Sequence, residues 1–225
     1  MDTLDRLDRL IQSRSILNHP FYVAWKCGKL TRQQLRTYAQ NYYPHVAAFP
    51  EYLRSAIAST YNPTVRKELE LNLLDEIGNP APHHELWLDF AEALGLHRNE
   101  VRLSKPAGTT ANVVGTFSAI TRSGSAEALA ALYAYESQQP EVSKEKIAGL
   151  KEHYEISDPR AVAYFSVHAT ADVRHRAGER AALARAIAGG ASPEAILGAA
   201  EKALDAYWKL LDGIWETEKT RSDES

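Results

Sequence analysis

The chain is poor in several things, and each shortage removes a class of protein. It has a single cysteine, Cys27, in 225 residues. That excludes an internal disulfide and any zinc or iron–sulfur site built on several thiolates. Basic charge is not in excess: the formal net charge is -3 at pH 7, whereas a general nucleic-acid binder carries a positive surplus. No apolar run reaches the ~20 residues that a membrane-spanning helix needs. The N-terminal MDTLDRLDRL alternates charge with leucine and lacks the apolar centre of a signal peptide. Sustained apolar–polar alternation is missing, as is an Asn-Gly hairpin, so strands have little support. These absences predict a reduced, soluble, cytoplasmic protein with no nucleic-acid or membrane partner.

What is present is helical periodicity. Hydrophobic residues make up 44% and charged residues 24%, an ordinary globular balance in a chain long enough for one sizeable core. Leu4, Leu7, Leu10 and Ile11 recur at helical spacing. Thr31 and Gln34 form a capping-box pattern that opens a long segment through Ser59, with bends expected at Pro44 and Pro50. Asn62-Pro63, Asp158-Pro159 and Ser192-Pro193 each read as a cap followed by proline at the first helical position. Ser125 reads as the cap of another helix. The breaks GNPAP (78–82), RSG (122–124) and AGGASP (188–193) have the length of helix connections, not of domain linkers. The expectation is an all-α, single-domain bundle of seven to eight helices over 1–218, with 219–225 as a polar, fraying tail.

The stretch HATADVRH carries the chemistry. On a helix turning ~100° per residue, His168, Asp172 and His175 share one face. Asp172-x-x-His175 is the carboxylate-x-x-histidine pattern by which bundles ligate two metals in their cores. Mixed carboxylate and imidazole donors suit iron or manganese and leave positions open for O₂. The competing reading is a solvated polar face, and the apolar flanks Tyr164, Phe165, Val167, Ala169, Ala171 and Val173 argue against it. A two-metal site needs about six ligands. In DEIGNPAPHHELW the candidates are Glu76 with either His83 or His84, which spacing alone does not separate. Glu136, after the apolar run in LYAYESQQP, is the remaining candidate, since a buried glutamate needs a partner.

Taken together, the motifs HPFYVAW-x-x-G-x-LT, YA-x-x-YY-x-H, FP-x-YL, DE with H-x-x-LW, ALY-x-YESQ-x-P and AYF-x-x-H-x-x-ADVRH resemble the heme-oxygenase-like dimetal oxidase family. The nearest branch is that of the chlamydial protein associating with death domains. The resemblance implies the heme oxygenase bundle, shared with thiaminases and pyrroloquinoline-quinone synthases. It implies the ligand set Glu76, His83, Glu136, His168, Asp172 and His175, so His83 is taken over His84. It further implies two metal ions, Fe/Fe or Fe/Mn, with O₂ as co-substrate and an external reductant. The implied product is p-aminobenzoate for folate, made by cutting out a tyrosine of the chain itself. Tyr22 matches that tyrosine, Tyr38 a second one close to the metals, and Lys146 the lysine proposed as amino donor. No residue is matched to an organic cofactor. The chain departs from the family at the break, where IGNPAPH has two prolines in place of an Asn-Gly turn with one. Relatives imply a homodimer; death-domain binding is not inferred. The alternatives are a catalytic dimetal oxygenase of the same fold acting on a fatty acid or amino acid, and a cofactorless oxidase like pyrroloquinoline-quinone synthase. A thiaminase would use Cys27 and a heme oxygenase would use His19, and neither residue stands in a supporting motif.

Overall fold

Asp2 accepts the amide of Leu4 and starts helix α1 (Thr3–Ser13), which buries Leu4, Leu7 and Ile11 at helical spacing. The computed structural model describes residues 2–78, 81–106 and 108–223, with the backbone alone from 217. The middle of the GNPAP break, residues 79–80, therefore lies outside the described residues, as do the side chains of the expected tail. Helix α2 (Pro20–Lys26) has proline at its first turn and His19 as its cap. Helix α3 (Arg32–Ala58) opens on the Thr31–Gln34 capping box and runs 27 residues through both Pro44 and Pro50. Proline 44 removes the helical bond to the Gln40 carbonyl, and Thr110 donates to the neighbouring Asn41 carbonyl at 2.9 Å.

The remaining helices are α4 (Pro63–Ile77), α5 (His83–Ala93), α6 (Arg98–Arg102), α7 (Gly108–Ser123), α8 (Ser125–Glu136), α9 (Gln139–Tyr154), α10 (Ala163–Ala188) and α11 (Pro193–Asp223). The fold is all-α, with no strand among the described residues. The eleven α-helical segments among the described residues include the 7-residue α2 and the 5-residue α6, so the long elements come close to the expected seven or eight. No described helix is long and apolar enough to cross a membrane. Asn62 caps α4 as expected. Two cap assignments change. Gly124 takes the cap position of α8 and Ser125 is its first residue. Asp158 holds only the amide of Arg160, at 2.7 Å, so one turn forms there and α10 starts at Ala163.

Helix α8 is the centre of the bundle. Every residue from Ala128 to Glu136 is buried, which is what an all-round apolar helix requires. It packs on α7, α10 and α11, while α10 also meets α4, α5 and α9. Thus α4, α5, α8 and α10 converge on one point in the core. Helix α9 is drawn against α2 where Gly149 lets the Trp25 ring approach: a Cβ there would stand 2.7 Å from the ring. Trp25 Nε1 donates to the Lys146 carbonyl at 3.3 Å.

Candidate metal centre

The stripe expected on α10 is present: His168, Asp172 and His175 are all buried. Helix α4 adds Glu76 in its last turn, α5 adds His83 as its first residue, and α8 adds Glu136 as its last. Two carboxylates at helix C-termini face the negative ends of helix dipoles. A bound cation would offset both.

The six residues form two triads. Ligand atoms of Glu76, His83 and His168 all lie within 4.8 Å of one another, and so do those of Glu136, Asp172 and His175. In the first triad His83 Nδ1 is 2.9 Å and His168 Nε2 3.5 Å from Glu76 Oε1. His168 Nδ1 meets the Tyr164 carbonyl at 2.7 Å. A carbonyl only accepts, so this nitrogen carries the proton and Nε2 turns its lone pair inward. In the second triad His175 Nδ1 is 3.2 Å from Asp172 Oδ1 and 3.6 Å from Glu136 Oε2. Asn72 donates to both Glu136 oxygens, at 3.0 and 2.9 Å. His83 Nδ1 and Asp172 Oδ2 are buried without a hydrogen-bond partner among the described residues. The close approach of His83 Nδ1 to Glu76 is therefore not aligned as a hydrogen bond. Orphaned donors grouped in this way fit divalent ions of the iron or manganese type. His84, the competitor of His83, is part-exposed and pairs with Glu85 at 3.4 Å.

The triads differ electrostatically. Burial alone would raise the Glu76 carboxyl, but His168 and His83 outweigh it and hold the group well below the usual carboxylate range. Glu136 is raised to about 8 by burial, opposed by His175 and reinforced by Asp172. Asp172 is raised to about 7, again by burial, with His168 opposing.

Beside the triads stands an aromatic core. Tyr164 packs on His168 with ring centroids 4.2 Å apart. Trp87 meets Tyr164 at 4.8 Å and stacks on Tyr42 at 4.9 Å, and Tyr42 meets Tyr38 at 5.2 Å. Tyr38 and Tyr22 hydroxyls lie 3.4 Å apart. Tyr22 and Tyr38 are therefore neighbours, while Tyr135 and Tyr164 line the cavity at the triads. Lys146, 1% exposed, projects its Nζ among Phe165, Tyr38, Tyr22, Tyr42 and Trp87, 5.0–5.8 Å from the ring centroids. Burial drives its amine well below the usual lysine range, which favours the uncharged form.

Sequence reasoning missed three residues here. Asn72 is one helical turn before Glu76, and Glu179 one turn after His175, so extending each stripe by four residues would have found both. Glu179 is 3% exposed with neither oxygen hydrogen-bonded to a donor; burial, Glu136 and Asp172 raise its carboxyl well above the usual range. Asp75, which meets His175 Nε2 at 2.8 Å, looks in sequence like a surface acid. His19 is structural: Nδ1 caps Phe21 and Nε2 meets Asp212, both at 3.0 Å. Cys27 is exposed.

Fold and site together define a heme-oxygenase-like bundle with two candidate metal positions in its core. The profile of the family described as iron-containing redox enzyme matches residues 36–208, and the chain belongs to that family. The match takes in both triads, Tyr38 and Lys146; Tyr22 precedes it. The chain is 43% identical over 182 residues to a 4-aminobenzoate synthase of Chlamydia muridarum, covering 80% of this chain and 77% of that one. It is 39% identical over 221 residues to a 4-aminobenzoate synthase of Nitrosomonas europaea, covering 94% and 90%. The solved structure of a TenA homologue from Pseudomonas syringae superposes with a TM-score of 0.81 at 19% identity, over 94% and 92% of the two chains. That last likeness concerns the fold alone.

Proposed function

We propose that the chain is a dimetal, O₂-dependent oxygenase that makes 4-aminobenzoate from its own Tyr22. The observation that carries this reading is the placement of Lys146. Its amine stands 5.4 Å from the Tyr22 ring in a space filled by the chain's own side chains. The carbon count agrees: 4-aminobenzoate has a six-membered ring plus one carbon, and so does a tyrosine side chain with its Cβ. With O₂ as oxidant, Cα–Cβ would be cleaved and Cβ oxidised to carboxylate. The phenol, oxidised by two electrons to a ring carbonyl, would condense with the Lys146 amine and lose its oxygen as water. Tautomerisation and hydrolysis of the imine would break Cε–Nζ, leaving the nitrogen on the ring and an aldehyde on the lysine side chain. Names of the relatives support the product, and the identity to them extends over most of the chain.

Glu76, His83 and His168 would hold one ion, and Glu136, Asp172 and His175 the other. When bound, iron with iron or manganese would supply O₂ reduction and an oxidant strong enough for a phenol, with an external reductant closing the cycle. The chain's own residues do the rest. The cavity lined by Glu76, Glu136, His168, Asp172, Tyr135 and Tyr164 is about 10 Å³, room for one water at most. The ring series Tyr164, Trp87, Tyr42, Tyr38 connects that cavity to Tyr22 in steps near 5 Å. Lys146 offers the amine. The lone cysteine and the family resemblance also lead us to place the protein in the cytoplasm as a homodimer.

Tyr22→Phe should reduce 4-aminobenzoate to background while leaving metal content unchanged, and Lys146→Met should do the same. A second reading, a catalytic oxygenase on an external small molecule, is favoured by a cleft of about 320 Å³ that reaches His83 from solvent. Product formation by Tyr22→Phe at the parent rate would select it.

A further inference from the structure

The second triad is braced from outside by a carboxyl that neither the family description nor the six-residue set includes. Asp75 Oδ2 stands 2.8 Å from His175 Nε2, the ring nitrogen opposite the one that faces Glu136 and Asp172. Arg174 makes a close ion pair with the same Asp75 oxygen. Arg174 Nη2 also lies 3.5 Å from His175 Nε2. Guanidinium only donates and is the farther partner of Nε2; the carboxylate at 2.8 Å only accepts, so Asp75 is the shared acceptor and Nε2 carries the proton. That tautomer leaves the Nδ1 lone pair for the second triad.

We infer that Asp75 is a positioning residue that, through His175, fixes the orientation and affinity of the ion held by Glu136, Asp172 and His175, with Arg174 holding Asp75 in place. Such outer partners orient an imidazole ligand and raise its basicity. The arrangement is also a clasp. Residues 75 and 76 are adjacent in the last turn of α4; Glu76 is a ligand of the first triad and Asp75 braces the second. One helix end thus grips both positions. Asp75 lies in the wall of the cleft that reaches His83, with a side chain 34% exposed, so its truncation leaves no buried void.

The inference rests on the metal-binding half of the reading above and is independent of tyrosine cleavage. The test strips the purified chain with chelator and titrates it with Mn(II), following free ion by electron paramagnetic resonance. The parent chain should bind two ions. Asp75→Ala should weaken one of them about 10- to 100-fold and leave the other unchanged, with the melting temperature of the metal-free protein retained. Asp75→Asn, whose amide oxygen still accepts from Nε2–H, should recover part of the loss. Nitrogen-15 shifts of His175 should show the Nε2–H form in the parent and a tautomer mixture in Asp75→Ala. Parent affinities for both ions in Asp75→Ala, or equal weakening of both, would overturn the inference while leaving the metal centre standing. A parent chain that binds no ion would overturn both.

Discussion

The first triad has one carboxyl and two imidazoles; the second has two carboxyls and one imidazole, although α10 contributes to both. Their surroundings differ as well. Glu76 is held low by the two histidines against it, whereas burial raises Glu136 to about 8 and Asp172 to about 7. The first triad gets its support from a backbone carbonyl, at Tyr164. The second depends on side chains, Asn72 and Asp75. The difference teaches that the two positions are not interchangeable. On the dimetal reading proposed above, the first would be ionised before an ion arrives, whereas the second would release protons to accept one, and its richer carboxylate set would favour the harder ion.

The largest contrast should come from removing one ligand on each side. His83→Ala and His175→Ala should each cost one of two ions by metal analysis, and both should bring 4-aminobenzoate to background. If either variant lost both ions, the triads would be one cooperative site and the comparison would fail. The next effect is in pH. Glu136 and Asp172 have folded values above their unfolded ones. Their protonated forms therefore contribute stability that is full below the ordinary carboxylate range and lost as pH rises through about 7 to 8. Ion binding displaces those protons. Mn(II) affinity of the second position should rise between pH 6 and 8, by up to ~10-fold per unit for each proton released. Affinity at the first position should not gain from carboxyl ionisation, because Glu76 has already lost its proton. Titration calorimetry in buffers of different ionisation enthalpy would count the protons. A smaller effect belongs to Asn72→Ala. Losing the two donors to Glu136 should weaken the second ion about 10-fold, with no change at the first. The smallest belongs to Glu179→Gln. It replaces a buried carboxyl whose folded value lies well above its unfolded one, a difference that costs stability as pH rises, and should stabilise the metal-free chain by ~1 kcal/mol at pH 8, read from denaturant unfolding.

How much of this was legible in the sequence depends on whether the signal was periodic. His168, Asp172 and His175 repeat with the helix, so their shared face could be read directly, and the same is true of the caps at Thr31 and Asn62. Glu76, His83 and Glu136 sit at helix ends, where periodicity stops; the family resemblance was needed to select them. Lys146 was illegible by composition. It stands among Lys144, Glu145 and Lys151, a context that reads as a solvated face. Its burial is decided by tertiary packing, where Gly149 admits Trp25 and draws α9 onto α2. Asp158-Pro159 gave a correct local signal for a cap, but the turn it capped did not propagate. Asp75 carries no periodic signal of its own, and only the fold shows that α10 brings His175 to it.

The most direct measurement is of product and protein together. The purified chain, loaded with ferrous iron with or without manganese, is given reductant and O₂. 4-Aminobenzoate is quantified per chain, and the spent protein is digested for mass spectrometry. The account predicts no more than one product per chain, with a matching loss of the side chain in the peptide that holds Tyr22. Many products per chain with Tyr22 intact would contradict it.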